Sequence, residues 1–307
     1  MSSPLISIVI PTYNGENFIR EALESCLEQS YSNLEILVVD DGSKDHTPEI
    51  VEKYEKKDSR VRLIVHDKNK GVAAARNTGI KTSKGTHLQF LDQDDLFFPN
   101  KTEIMLKQIT PEVDLLYCEV FCWYLMMDAI IPNYYGELPN RKTALKEMFG
   151  KSFGTPLSWM IKKEIVKKIG FFDEELRGSD DWEFLFRVLR LCNYKRCDSY
   201  LAFYRIHSTN QTLLTEEQYK NSDKACLKAV LNTPPEELFD EDFASGYEFL
   251  ADRIQTQYEA MNKENWFYLY LPYKTLLEIY QKAYKLSYDN HQKERISEKI
   301  KKTQDHK

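Results

Sequence analysis

Asp92, Asp94 and Asp95 place three carboxylates within four residues, in Leu91-Asp92-Gln93-Asp94-Asp95, directly after the apolar run His87-Leu88-Gln89-Phe90-Leu91. Clustered acids repel one another unless a cation or well-placed donors offset the charge. A hard divalent cation that also binds phosphate oxygens does this, and oxygen-only ligands suit Mg²⁺ or Mn²⁺. The same letters also fit a solvated strand-to-helix turn, with Asp94 or Asp95 capping the segment after Pro99. Two further acid pairs stand out. Asp40-Asp41-Gly42-Ser43 follows another apolar run, and Asp180-Asp181 precedes a helical pattern from Trp182 to Cys192. A carboxylate at a helix start can cap it, and one facing a hydroxyl can take its proton.

The elements that must hold these acids alternate from the first residues. Ile6 to Ile10 is a β-branched run ended by Pro11, and Glu16 to Gln29 carries Ile19, Leu23, Cys26 and Leu27 at helical spacing. Glu35 to Val39 is a second strand, and Thr47-Pro48 starts a helix with proline where its missing N–H costs nothing. Val61 to Val65, an alanine-rich helix from Gly71 to Lys81, and the strand ending in the acid cluster complete the series. This order predicts parallel βαβ units in a doubly wound, Rossmann-like sheet, whose ligands bind beyond the carboxyl ends of the strands. Three of those ends carry polar clusters: Thr12-Tyr13-Asn14, Asp40-Asp41, and Asp92 to Asp95. They predict a single site.

From Asp114 to about Thr212 the pattern loosens. Leu115 to Val120 reads as a strand, followed by Phe121, Trp123 and Tyr124 and a loop through Pro132 to Pro139. Beyond Thr215, segments Glu217 to Leu231, Ala244 to Met261, Leu271 to Tyr284 and Glu294 to Lys302 are helix-like. Their many aromatics (Tyr247, Phe249, Tyr258, Trp266, Phe267, Tyr268, Tyr270, Tyr273, Tyr280, Tyr284, Tyr288) fit a core, a homodimer face or a surface for a lipid carrier.

A net charge of −6 over 307 residues argues against a general nucleic-acid binder, although a local metal can still neutralise a nucleotide phosphate. The apolar start, Leu5 to Ile10, is too short for a secretory segment, and no stretch has the length of a transmembrane segment. Six scattered cysteines without a tight pair read as reduced thiols. The expectation is a cytoplasmic protein, with peripheral attachment at the inner membrane face as a second setting.

Five motifs occur in order: Ser7-Ile8-Val9-Ile10-Pro11-Thr12-Tyr13-Asn14, Val38-Val39-Asp40-Asp41-Gly42-Ser43, Gly71-Val72-Ala73-Ala74-Ala75-Arg76-Asn77, Leu91-Asp92-Gln93-Asp94-Asp95 and Gly178-Ser179-Asp180-Asp181-Trp182-Glu183. With them the chain resembles the inverting family 2 glycosyltransferases of the GT-A fold, over roughly residues 5 to 210. The resemblance implies an α/β fold with a Rossmann-like, mixed, mainly parallel sheet flanked by helices, plus a C-terminal helical domain. It implies a GT-A domain over residues 1–212, with a nucleotide-sugar half to about residue 100 and an acceptor half after it, and a helical domain over 213–307.

It further implies roles. Asp41 would accept an N–H from a uracil base, with Pro11 and Tyr13 walling the ring. Arg76 would reach the nucleotide or its diphosphate; Asp92 and Gln93 would contact the nucleotide sugar. Asp94, with Asp92, would bind the metal, which His207 also approaches, and Arg205 would contact phosphate. Asp181 would be the catalytic base and Asp180 an orienting group, where the family more often has Glu-Asp. The implied activity is metal-dependent, non-processive, inverting transfer from a nucleotide diphosphate sugar to an acceptor hydroxyl on a glycan, a lipid-linked or a protein-linked molecule. A Gln-x-x-Arg-Trp motif, which marks processive synthases, is missing from this sequence. A non-catalytic nucleotide-binding or scaffold relative of the same fold is the alternative.

Overall fold

The computed structural model describes residues 3–138, 140–148, 153–176, 178–208, 210, 225, 228–229, 232–238, 244–248, 251–252, 255, 273–287 and 290–305. They fall into two compact units. The first comprises Met1–Leu138, Phe153–Glu175 and Leu191–Asn210; the second comprises Pro139–Ser152, Leu176–Arg190 and Gln211–Lys307.

The first unit is built on one mixed sheet. Strands β1 (Ile6–Thr12), β2 (Leu34–Asp40), β3 (Val61–Val65) and β4 (His87–Phe90) alternate with helices α1 (Ile19–Leu27), α2 (Thr47–Glu55) and α3 (Val72–Thr82). β1 pairs in parallel with both β2 and β4, and β2 in parallel with β3. The strand order therefore reverses at β1, which is the expected ligand-binding point of a doubly wound sheet. Every residue of β1 is buried, Ser7 and Thr12 included, as in a strand covered on both faces. The strand also extends past the expected stop at Pro11 to Thr12. Its pairing with β4 ends at Val9, so proline's missing N–H removes no bond from that ladder.

The second half of the sheet departs from a simple parallel order. β8 (Trp159–Lys162) runs antiparallel between β4 and β6 (Leu115–Tyr124), and β9 (Tyr194–Ile206) lies parallel to β6. The short β5 (Leu96–Phe97) pairs antiparallel with β9. α4 (Lys101–Gln108) and α6 (Lys163–Ile169) complete the unit.

The strand expected from Leu115 to Val120 runs on through the aromatic stretch, and the first two residues of the loop expected from Pro132 to Pro139 belong to a further strand. β6 continues to Tyr124 and turns back as β7 (Ala129–Asn133), with Tyr124 opposite Ala129. Asp128 turns the chain at φ 46°, a left-handed conformation that aspartate tolerates, and its carboxylate accepts from Trp123 Nε1 at 3.3 Å. With no glycine or proline at this turn, the usual hairpin signature is absent.

α3 sits tightly on the sheet through Gly79, where an added Cβ would lie 2.3 Å from Val9 Cγ1. Valine is stiff about χ1 and fully buried here, so it cannot swing aside. Gly79→Ala is expected to lower stability by about 1–3 kcal/mol, the usual cost of overpacking. Chemical denaturation would show this as a lower midpoint with an unchanged slope; an unshifted midpoint would mean that α3 is free to lift.

The second unit contains α5 (Arg141–Glu147), α7 (Asp180–Leu191, whose last residue belongs to the first unit), α8 (Pro235–Leu238), α9 (Tyr273–Leu286) and α10 (Asn290–Asp305). The helix-like segments expected from Leu271 and from Glu294 correspond to α9 and α10. Tyr247 and Tyr280 are fully buried with Ile279, Ala283 and Ile296, so these two aromatics are core. Tyr280 donates to Asp252 at 2.6 Å, and Arg295 clamps Glu248 with bonds of 2.8 and 2.6 Å. Phe249, Tyr258, Trp266, Phe267, Tyr268, Tyr270 and Tyr288, most of the expected helix 217–231 and the expected domain boundary at 212 lie outside the described residues.

Cys26, Cys118, Cys122, Cys192 and Cys197 are free thiols. Burial pushes Cys26 up to about 12 and Cys118 up to about 11, which leaves both protonated and unreactive. Among the described residues no helix is long and apolar enough to cross a membrane.

Candidate functional site

The carboxyl ends of β1, β2 and β4 lie side by side, and their loops are tied to one another. Asp41 N donates to Thr12 O (2.8 Å), Asn14 N to Ser43 Oγ (2.9 Å), and Gly15 N to the Thr47 hydroxyl (2.8 Å). Gln93 Oε1 accepts from the Thr12 hydroxyl (2.6 Å) and from Tyr13 N (2.9 Å), so the acid stretch is fastened to the loop after β1. Tyr13 remains exposed beside buried Pro11.

Asp40 and Asp41 divide the work at the end of β2. Asp40 Oδ1 accepts from Gly42 N (3.1 Å) and Ser43 N (2.9 Å), which closes the turn. The buried carboxylate of Asp41 points to the next loop instead. It accepts from His66 Nδ1 (2.6 Å), from Lys70 N at both oxygens (2.9 and 3.0 Å) and from Gly71 N (2.7 Å). His66 is itself held by Thr78, whose hydroxyl lies 2.9 Å from Nε2.

After β4, four consecutive residues have four different partners. Asp92 accepts from Arg76 Nη2 at 2.8 and 3.1 Å, an ion pair with the arginine almost fully buried. Gln93 holds the β1 loop. Asp94 Oδ2 lies 3.0 Å from His207 Nε2 and 3.3 Å from Asn210 Nδ2. Asp95 accepts from the backbone N–H of Arg205 at 2.9 Å and is buried, so it fastens the end of β9 and caps nothing after Pro99. Burial first, and the neighbouring Asp92 second, hold the Asp94 carboxyl above the usual range, while His207 opposes that shift. Burial also raises Asp95 strongly, with Asp94 and Asp92 adding to the effect. Arg205 stacks its guanidinium 5.2 Å from the Phe18 ring centre and bonds the Asp94 carbonyl and Glu21. Phe18 also stacks on His207, with ring centres 4.4 Å apart.

Two acids and an imidazole thus meet at the end of β4, where negative charge is concentrated and poorly solvated. Among the described residues no group of three or more His, Cys, Asp or Glu side chains is arranged to enclose a metal by itself. A Mg²⁺-type cation takes one or two carboxylates and completes its shell with water and substrate phosphates. Asp94 and His207 are the protein groups suited to hold it.

In the second unit, Asp180 and Asp181 are the first residues of α7, which begins two residues before the expected start at Trp182. The helix N-terminus favours carboxylates there. Asp180 is buried and Asp181 half-buried, and Asp181 Oδ1 accepts from Trp182 N at 2.7 Å. Ser179, at φ 63°, sets the chain's entry into the helix. Trp182 anchors this first turn by donating from Nε1 to Met148 O (2.9 Å), and Arg187 pairs with Glu183 at 2.8 Å.

His66, Phe18 and Asn210 were not singled out by sequence reasoning, and Asp95 was given no role against β9. Asp95 lay inside a recognised motif, but its burial against β9 has no sequence signal. The other three lie outside the five motifs.

The sequence profile described as "Glycosyl transferase family 2" matches residues 7–170. An uncharacterized glycosyltransferase of Rickettsia typhi is 35% identical over 229 residues, which cover 71% of this chain and 70% of the relative. Among solved structures, Staphylococcus aureus TarS 1-349 in complex with UDP-GlcNAc aligns with a TM-score of 0.67 at 20% identity, covering 92% of this chain and 81% of that one. The mannosyltransferase PcManGT from Pyrobaculum calidifontis, in complex with GDP-Man and Mn2+, aligns with a TM-score of 0.60 at 15% identity, covering 99% and 85%. The fold is thus that of these GT-A glycosyltransferases.

Proposed function

Because this chain belongs to glycosyl transferase family 2, we propose that it transfers one sugar per encounter, with inversion, from a UDP-sugar to a hydroxyl of a glycan, lipid-linked or protein-linked acceptor. The observation that carries the reading is the gathering of Asp41, the Arg76–Asp92 pair and the Asp94–His207 pair at the adjoining ends of β1, β2 and β4. The same proposal assigns residues 1–212 to the transferase domain and 213–307 to a helical appendage.

In this reading Pro11 and Tyr13 wall the base and Asp41 accepts its ring N–H. The Asp41 oxygens are already engaged, but Lys70 N reaches both of them. One of those two contacts can be released without leaving the amide unpaired. Arg76, paired with Asp92 at 2.8 Å, keeps that carboxylate aimed for the ribose. Asp94 and His207 would hold Mg²⁺ or Mn²⁺, which would supply positive charge to offset that of the diphosphate. The complexes of TarS with UDP-GlcNAc and of PcManGT with GDP-Man and Mn2+ support this combination. Asp181 takes the acceptor hydroxyl's proton as that oxygen attacks the anomeric carbon, and Asp180 orients it. The assignment of this pair rests on motif order and on its setting at the head of α7.

Calorimetry with UDP and CDP in the same Mn²⁺ buffer tests the donor reading. UDP should bind about tenfold or more tighter, because a hydrogen bond to a buried carboxylate is lost with cytosine. Asp41→Ala should abolish the difference. Equal affinities for the wild type would remove the uridine assignment, and tighter binding of GDP would redirect it to a guanine donor.

A further inference from the structure

The hairpin of β6 and β7 ends in a cap of apolar side chains that the proposed transfer chemistry does not use. Met126 is 84% exposed and Met127 70% at the turn, Ile130 and Ile131 are each 51% exposed on β7, and Tyr134 is 63% exposed just beyond it. Ile130 and Ile131 are neighbours in a strand, so they project to opposite faces and the ribbon is apolar on both. Over residues 124–134 the only charged side chain is Asp128, and its carboxylate is turned back onto Trp123 Nε1. Tyr134 sits at the base with Arg196 over its ring at 4.7 Å, an apolar-to-polar boundary.

A protruding apolar tip of this kind needs a cover. A second copy of the chain fits poorly. Five side chains are far fewer than the roughly 20–30 residues per side of a stable interface. Pairing along the free edge of β7 is discouraged as well, because that strand is only five residues long and carries Pro132 opposite Phe121. The apolar groups are concentrated at the apex and on both faces, a shape that suits end-on entry into a continuous apolar phase. We propose that the β6–β7 hairpin inserts its Met126–Ile131 tip into the acyl region of a lipid bilayer, with Tyr134 at the interface, and so attaches the protein to a membrane surface. The attachment is independent of the donor site, and it would bring a membrane-embedded acceptor within reach of the transferase.

The test is co-sedimentation of the full chain with phosphatidylcholine vesicles, which carry no net charge. Wild type should bind, and binding should persist in high salt, because the tip has no cationic group to be screened. Met126→Asp/Met127→Asp places two charges where the apolar contact is made, and the bound fraction should fall about tenfold or more. Ile131→Ser is the second variant and should give an intermediate loss. All three proteins should show the same Mn²⁺-dependent thermal shift with UDP, so failure of the donor reading would be visible separately. Unimpaired vesicle binding by the double variant would overturn the proposal, as would absence of wild-type binding. Sedimentation velocity covers the remaining occupant: a concentration-dependent dimer that the double variant abolishes would assign the tip to a second copy and likewise overturn it.

Discussion

Asp181→Asn should abolish sugar transfer while leaving the protein otherwise intact. Asparagine keeps the volume of the side chain and can still accept the Trp182 N–H that Asp181 Oδ1 accepts at 2.7 Å. It remains suited to a helix start, so α7 should keep its first turn. What it loses is the ability to take a proton. Loss of a general base is worth about two to four orders of magnitude in rate. Donor affinity and unfolding temperature should stay near wild type, since neither depends on that proton. Asp180→Asn should be milder, in keeping with an orienting role. Single-turnover transfer assays with both variants decide the matter. A dead Asp180→Asn beside an active Asp181→Asn would reverse the two roles, and unfolding of both would make the pair structural.

The second large effect is expected at Asp94. Its alanine variant loses the carboxylate that, with His207, is suited to the divalent ion. Affinity for UDP in the presence of Mn²⁺ should fall by one to two orders of magnitude, the range seen when groups supporting a metal are removed. With the metal chelated, wild type and variant should bind UDP equally weakly. The sign of the stability change is informative as well. Burial and Asp92 hold the Asp94 carboxyl above its usual range, so its ionised form costs the fold stability at neutral pH. That cost disappears as the pH falls below the range of ordinary carboxylates. The metal-free variant should therefore melt no lower than wild type at neutral pH. Calorimetry with and without chelator checks the binding, and a lower melting temperature would mean that Asp94 is a structural acid.

The parts of this molecule that could be read from the sequence are those whose signal is local. The four parallel strands announce themselves as apolar runs, and the acids at 40–41 and 92–95 sit within a few residues of the strand ends that carry them. The acids at 92 to 95 were legible as a group but not as individuals. Whether an acid meets Arg76, His207 or the backbone of Arg205 depends on chain brought back from up to 113 residues away, as with His207 and Asp94. His66 was passed over for the same reason, because nothing near it in the sequence indicates Asp41. The β6–β7 hairpin was missed because its turn uses Asp128 in place of the expected glycine, and the start of α7 was misplaced by two residues because acids fit both a cap and a first turn.

The four residues of β8 set the order in which the sheet can mature. They cover the edge of β4 that faces away from β1, yet they lie about seventy residues further along the chain, with β6 and the hairpin between them. A nascent or truncated chain ending near residue 100 would carry the whole acid cluster and still present β4 as an open strand edge. Such an edge invites pairing with other chains until it is covered. Joining it to β8 closes a long loop before any contact compensates, which slows folding. The first hundred residues thus carry the acid cluster without the strand that covers their sheet edge.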